Sequence, residues 1–268
     1  MTPVKTSPDN AWWHPVTLTP GSCRNINIGP LSLYIQRQAQ QWLLAFERHD
    51  TPAGEDRPLS QSIAQMPAHI KAERYMFQQS PAAFCLTPVL LERPVVAKTL
   101  QPLHIPPGEN TTLYISSPVS VRLALQQPEQ LLQEIAISRL SDTWFGPSTQ
   151  IGELCYADKT HARQSRDELP LRPHRAITPV TVHNNSKQML SLSKISIPVP
   201  YLAVYSAQNG NLWTDPISLQ HESADGLARF KTGSLTATEA KGVTLLSAAR
   251  AIPEKQSLIR AFTGIFTE

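Results

Sequence analysis

The sequence predicts a mainly β protein: two antiparallel β-sandwich-like halves with a short C-terminal helix. Three observations carry that prediction. Proline supplies 24 of the 268 residues, about 9% against an ordinary usage of about 5%, whereas glycine supplies only 11. Prolines scattered among apolar runs suit short strands with stiff connections and oppose a mainly helical chain. Many of the apolar runs alternate with period two, and turn signals separate them at about 8 to 12 residues, the spacing of sandwiches and barrels.

Taken in order, Leu31, Leu33 and Ile35 alternate with Ser32, Tyr34 and Gln36, and the run Gln41–Arg48 follows after a short polar bridge, which reads as a hairpin. Thr51 to Ser80 is polar and carries Pro52, Pro58 and Pro67, so a long connection is expected there, with a helix over Pro67–Gln79. Strand-like pieces then recur as FCLTPVLL, PVVAKTL, TTLYIS and VSVRLAL, with ERP, IPPGEN and SSP read as the turns between them. EQLLQEIAISRL fits both helix and strand and is assigned to strand, near the expected division between an N-terminal half (1–130) and a C-terminal half (131–268). Asn184-Asn185 and Asn209-Gly210 read as tight turns, the second as a hairpin. Pro198 and Pro200 imply an edge strand or a bend. In the last segment, Leu258, Ile259, Phe262, Ile265 and Phe266 form one helical stripe behind Pro253, a suitable first-turn residue.

The composition narrows function mostly by exclusion. A 41% hydrophobic content with 17% charged residues supports a packed core, so wholesale disorder is excluded. The net charge of +3 points to neither nucleic acid nor a membrane surface. It is concentrated, however: Lys159, Arg163, Arg166, Arg172 and Arg175 stand against Asp167 and Glu168, an excess equal to that of the whole chain. No aromatic residue lies between Lys159 and Arg175 for bases to stack upon, which disfavours nucleic acid. No stretch has the apolar length of a signal peptide or an integral membrane segment. Three widely spaced cysteines, Cys23, Cys85 and Cys155, make no disulfide framework, and a cytoplasmic setting is expected.

Motifs for chemistry are absent. There is no G-x-S-x-G, no phosphate-cradling glycine run, and no C-x-x-C or H-x-x-x-H to anchor a metal site from His161, His174, His183, Cys155 and Glu153. No catalytic residue, metal or cofactor is therefore expected. Cys155 reads as a small buried hydrophobe. DTWFGP reads as a tight loop with Asp142 capping backbone donors, and with Trp144 and Phe145 either packed inward or offering a flat apolar platform. The basic segment reads either as a solvated hairpin tip or as a clamp in which Arg163, Arg166, Arg172 and Arg175 grip a phosphate, a carboxylate or an acidic protein surface.

The stretches Ser141–Tyr156, His174–Ser186, Ile197–Tyr205 and Leu212–Thr214 carry a resemblance to the uncharacterised prokaryotic family known as domain of unknown function 432, running over most of the chain. The resemblance implies no mechanism. Some members are encoded near small mechanosensitive channels, which implies a membrane channel as a partner. The expectation is a non-enzymatic cytoplasmic binding or assembly module acting through a protein partner or a second copy of the chain. Its partner- or ligand-binding candidates are Trp144, Glu153, Arg163, Arg166, Arg172 and Arg175. The alternative is a small anionic-ligand binder or enzyme with its site between the halves, built on Arg175, Glu153 and the Trp144 loop.

Overall fold

Alternation becomes pairing along most of the chain. The computed structural model describes residues 11–49, 58–148, 150–170, 172–222, 226–236, 240–253 and 258–262. Along them run strands β1 (Val16–Thr17), β2 (Cys23–Ile28), β3 (Leu31–Arg37), β4 (Gln41–Arg48), β5 (Leu59–Ile63), β6 (Glu73–Met76), β7 (Ala83–Leu90), β8 (Val95–Ile105), β9 (Asn110–Gln126) and β10 (Gln130–Ala136). They continue as β11 (Ser141–Phe145), β12 (Glu153–Ala162), β13 (Arg175–Asn184), β14 (Leu190–Ile197), β15 (Val204–Ser206), β16 (Leu212–Thr214), β17 (Ile217–His221), β18 (Leu227–Thr232), β19 (Thr244–Ser247) and β20 (Leu258–Arg260). Helix among the described residues is limited to two three-residue 3-10 turns, Arg166–Glu168 and Val199–Tyr201. The protein is mainly β, with curled sheets.

The expected hairpin is β3–β4, paired from Leu31↔Arg48 to Arg37↔Trp42, and it lies at the centre of a five-stranded sheet ordered β5-β2-β3-β4-β6. Its inward row of Leu31, Leu33, Ile35, Trp42 and Leu44 is almost completely buried. The expected helix over Pro67–Gln79 does not form. Glu73–Met76 instead pairs with the free side of β4, from Met76↔Gln41 to Glu73↔Leu44, because a short helix is marginal alone while a waiting strand edge supplies hydrogen bonds at once.

The largest sheet is organised by β9, whose 17 residues join what the sequence presents as two strands. Ser116-Ser117-Pro118 is not a turn. Asn110 to Pro118 pairs with β13, and Val119 to Gln126 passes between β7 and β10, so Pro118 stands where the strand exchanges one neighbour for two others. Odd-numbered residues from Leu113 to Leu125 face inward as one buried row across that proline. Pro179 repeats the arrangement: on one side β13 pairs with β16 up to Ile177 and with β17 from Val180, and the missing donor falls in the gap. Pro198 and Pro200 neither bend a strand nor lie on an edge strand, since β14 ends at Ile197 and they enter the 3-10 turn.

A third sheet has the order β11-β12-β8-β14. Pairing is mostly antiparallel, with parallel exceptions at β12·β8, β13·β16 and β13·β17. The Asn209-Gly210 hairpin forms between β15 and β16, with Gly210 at φ 79°. Asn184-Asn185 turns the chain from the largest sheet into the third. There the buried Asn184 amide donates to the Ile105 carbonyl at 2.8 Å and to the Gln188 carbonyl at 2.7 Å.

The expected division at residues 130 and 131 falls inside β10, which is laddered to β9 from Gln130↔Leu125 to Ala136↔Ser120. One cluster of buried apolar side chains draws on both sides of it, from Trp12 to Phe262. The described part of the expected C-terminal helix is extended. Leu258–Arg260 pairs with β18, the Ala261 carbonyl accepts from Ser196 N, and Phe262 is buried edge-on to His221 at 5.4 Å. Two strand edges outcompete the helical period there; Ile265 and Phe266 lie outside the described residues.

Candidate functional site

β11 and β12 pair without a register shift from Ser141↔Ala157 to Phe145↔Glu153, so DTWFGP is strand up to Phe145 and turn beyond it. Asp142 does not cap backbone donors; its Oδ1 accepts from Arg93 Nη1 at 3.1 Å. Alternation puts Phe145 and Cys155 on one face, where both are buried with Val96, and Trp144 and Leu154 opposite each other on the other face, where both are exposed. Ile151, in the turn between them, is exposed too. The indole of Trp144 is fixed nonetheless. Its Nε1–H donates to the Ser148 carbonyl at 2.7 Å, the Ser148 hydroxyl accepts from Ile151 N at 3.1 Å, and a Cβ on Gly152 would lie 2.6 Å from Nε1. Only glycine leaves room for the ring. β11 is also the terminal strand of its sheet, so among the described residues its outer backbone groups have no strand partner.

The same face continues inward to a charged cleft. Two residues along each strand from Trp144 and Leu154 lie Asp142 and Tyr156, themselves paired, and the Arg93 guanidinium sits 5.5 Å from the Tyr156 ring centre. The cleft, about 290 Å³, is lined by Leu91, Glu92, Ser120, Glu134, Ala136, Leu140 and Tyr156. The Tyr156 hydroxyl donates to Glu92 Oε1. Glu134 is held from two sides, by Arg122 Nη2 at 3.1 Å and by both terminal nitrogens of Arg250, whose Nε also donates to the Leu90 carbonyl at 2.6 Å. Burial alone would raise the Glu92 carboxyl; the Tyr156 hydrogen bond, with Arg250 and Arg93, outweighs it and holds the group below the ordinary carboxylate range. Burial and the neighbouring Glu92 push Tyr156 up to about 12. These two groups are thus driven away from neutrality in opposite directions, the reverse of what acid–base catalysis near pH 7 needs.

The candidates named from sequence do not converge. Glu153 shares the hairpin with Trp144 but points to the opposite face. It is half-buried beside Cys155 and Ser196, and burial raises its carboxyl against the pull of Arg260. Burial, reinforced by Glu153, lifts the Cys155 thiol to about 12, which fits the inert buried role expected of it. Arg163 lines a separate cleft of about 210 Å³ with Thr99, Gln101, Leu113 and Gln164. Arg166 and Arg172 are exposed, Arg166 pairing with Asp167 at 3.5 Å. Arg175 takes no part in any clamp. It is buried, ion-paired to Asp158, and donates further to Thr160 Oγ1 and to the carbonyl and hydroxyl of Ser116. The irregularity in β12 between Ala157 and His161 lies where Asp158 reaches it. Beside it His174 is 3% exposed under Gly29, and burial, with the charges of Arg175 and Arg172, drives its imidazole down to about 3. No group of three or more His, Cys, Asp or Glu residues that could hold a metal occurs among the described residues.

Sequence reasoning found Trp144 but not the cleft, whose charged residues, Glu92, Arg93, Arg122, Glu134, Asp142 and Arg250, come from five separated places and share no spacing. The chain matches, over residues 12–267, the model of the family described as "Protein of unknown function (DUF432)". It belongs to that family. No curated protein and no solved structure matches it.

Proposed function

We propose that this member of the DUF432 family is a non-enzymatic binding module, two sandwich-like halves in a cytoplasmic setting, that docks a partner protein along the edge strand β11. One observation carries the reading: an aromatic ring held rigidly and half exposed, 48% for Trp144, on a strand whose outer backbone has no strand partner among the described residues, directly across from an exposed Leu154 on β12. Rigid, exposed tryptophans anchor interfaces because they bury a large area at little cost in side-chain entropy. An open strand edge adds backbone hydrogen bonds to any extended segment laid against it. β11 carries no lysine, proline or bulge to repel such a segment, and Asp142 is already neutralised by Arg93. The partner is therefore a protein that presents an extended, partly apolar segment, and the membrane channel implied by the family resemblance is the first to examine.

The test is cross-linking and affinity capture from native membranes and cytosol, with wild type beside a Trp144→Ala, Leu154→Glu double variant. A partner held by wild type, cross-linked at β11 and lost in the folded variant is the expected result. A partner that cross-links elsewhere and binds the variant equally well would overturn the reading.

One observation favours the alternative of a small anionic ligand between the halves: among the described residues no carboxylate pairs with the Arg163 guanidinium, which lines its own cleft. Inorganic phosphate or succinate raising the melting temperature of wild type but not of Arg163→Gln would favour that alternative.

A further inference from the structure

We infer that the cleft between β10, β12 and the β7–β8 turn is a binding site for a neutral polyhydroxyl ligand of monosaccharide size, independent of any docking along β11. The first ground is charge balance. Glu92, Glu134 and Asp142 are matched by Arg93, Arg122 and Arg250, each acid bonded to a base or, for Glu92, to Tyr156 with Arg93 and Arg250 close by. A ligand of either charge would enter without a free counter-charge and lose its hydration for nothing. A neutral ligand rich in hydroxyls loses far less.

The second ground is unused hydrogen-bonding capacity turned into the cleft. Ser120 is 3% exposed and lines it. Glu92 uses one carboxylate oxygen on Tyr156, and each carboxylate offers about four acceptor sites, so both acids can accept sugar hydroxyls while keeping their present partners. The Tyr156 oxygen and the Ser120 hydroxyl can receive hydrogen bonds as well as give them. Planar carboxylates, each held in place by its own partner, suit the fixed geometry of neighbouring hydroxyls on a ring.

The third ground is shape. Leu91, Ala136 and Leu140 supply an apolar side against which the C–H face of a pyranose can pack, and about 290 Å³ is at the small end of ligand sites, too tight for a nucleotide.

Saturation-transfer NMR on the whole chain tests this, with glucose, galactose, mannose and myo-inositol as probes and with spermidine and inorganic phosphate as charged comparators. At least one neutral probe should receive saturation, and the charged comparators none. Leu140→Trp, which fills the cleft, should abolish the signal. Glu92→Gln alters an exposed side chain that the fold does not need, and should weaken binding about tenfold through one charge-assisted hydrogen bond. Absence of transfer to every neutral probe, transfer unchanged in both variants, or binding of spermidine or phosphate alone would overturn the inference. Should Leu140→Trp fail to fold, Glu92→Gln decides by itself.

Discussion

Lowering the pH from 7 to 4.5 should cost the fold about 3 kcal/mol through His174 alone. The imidazole lies 3% exposed against Gly29, where a Cβ would come within 2.3 Å of its Nδ1, and that nitrogen has no hydrogen-bond partner among the described residues. Burial first, then the positive charges of Arg175 and Arg172, hold it down to about 3, whereas in the unfolded chain it titrates near 6.5. The unfolded state therefore binds the proton first. Stability is complete above pH 6.5 and falls as the pH drops toward 3, because each unit between the two values costs about 1.4 kcal/mol. Two such units separate 6.5 from 4.5. Urea unfolding at a series of pH values, for wild type and His174→Gln, isolates the effect: the difference between the two curves should narrow by about 3 kcal/mol over that interval, since carboxylate protonation is common to both. A direct NMR titration of His174 provides the second reading. Parallel curves, or an imidazole that titrates above pH 5, would refute the reasoning.

Two further outcomes follow from side chains already placed. Asp158→Asn leaves Arg175 buried without its counter-charge and should lower stability by about 3 to 5 kcal/mol in a urea melt, whereas the paired change Asp158→Leu, Arg175→Met should recover most of that loss. Gly152→Ala puts a methyl 2.6 Å from Trp144 Nε1, so the ring must tilt off the Ser148 carbonyl. Its fluorescence should shift to longer wavelength and partner capture should fall, with a loss of stability of about 1 to 3 kcal/mol, because the methyl also lies 2.8 Å from the Phe145 carbonyl oxygen, which is backbone and must give way.

Much of the fold was legible because burial alternates wherever a strand has one wet face. The β3–β4 hairpin, the strand assignment of β10 and the β15–β16 turn were all readable on that ground. Prolines misled in a particular way. Read with Ser116-Ser117 as a turn, Pro118 instead stands inside a strand, as Pro179 does, where a neighbour is exchanged and no donor is required. That distinction is invisible without the partners. The C-terminal stripe misled because Leu258, Ile259 and Phe262 satisfy a helical period as well as they satisfy two strand edges. At the site, Trp144 was legible as an exposed or a packed aromatic, and the pairing of β11 with β12 decides between the two, with Gly152 and Ser148 fixing the ring. Arg175 looked like part of a basic clamp because sequence gives charge but not depth, and Asp158 lies 17 residues away. Glu92, Glu134 and Arg250 meet only through the sheet order.

Because β9 lends its first half to β13 and its second to β7 and β10, neither portion of the molecule owns its central strand. A chain severed at residue 130 would leave the N-terminal fragment with Asn110 to Pro118 stripped of its ladder and the row of Leu113 and Ile115 bared to water. Such a fragment would seek the missing neighbours from other copies, exchanging strands or aggregating, and the complementary fragment would bring β13 to the same search. Mixed together, the two should reassemble on each other. A gene duplication or fusion that carried only one portion would by the same rule deliver an unfinished sheet.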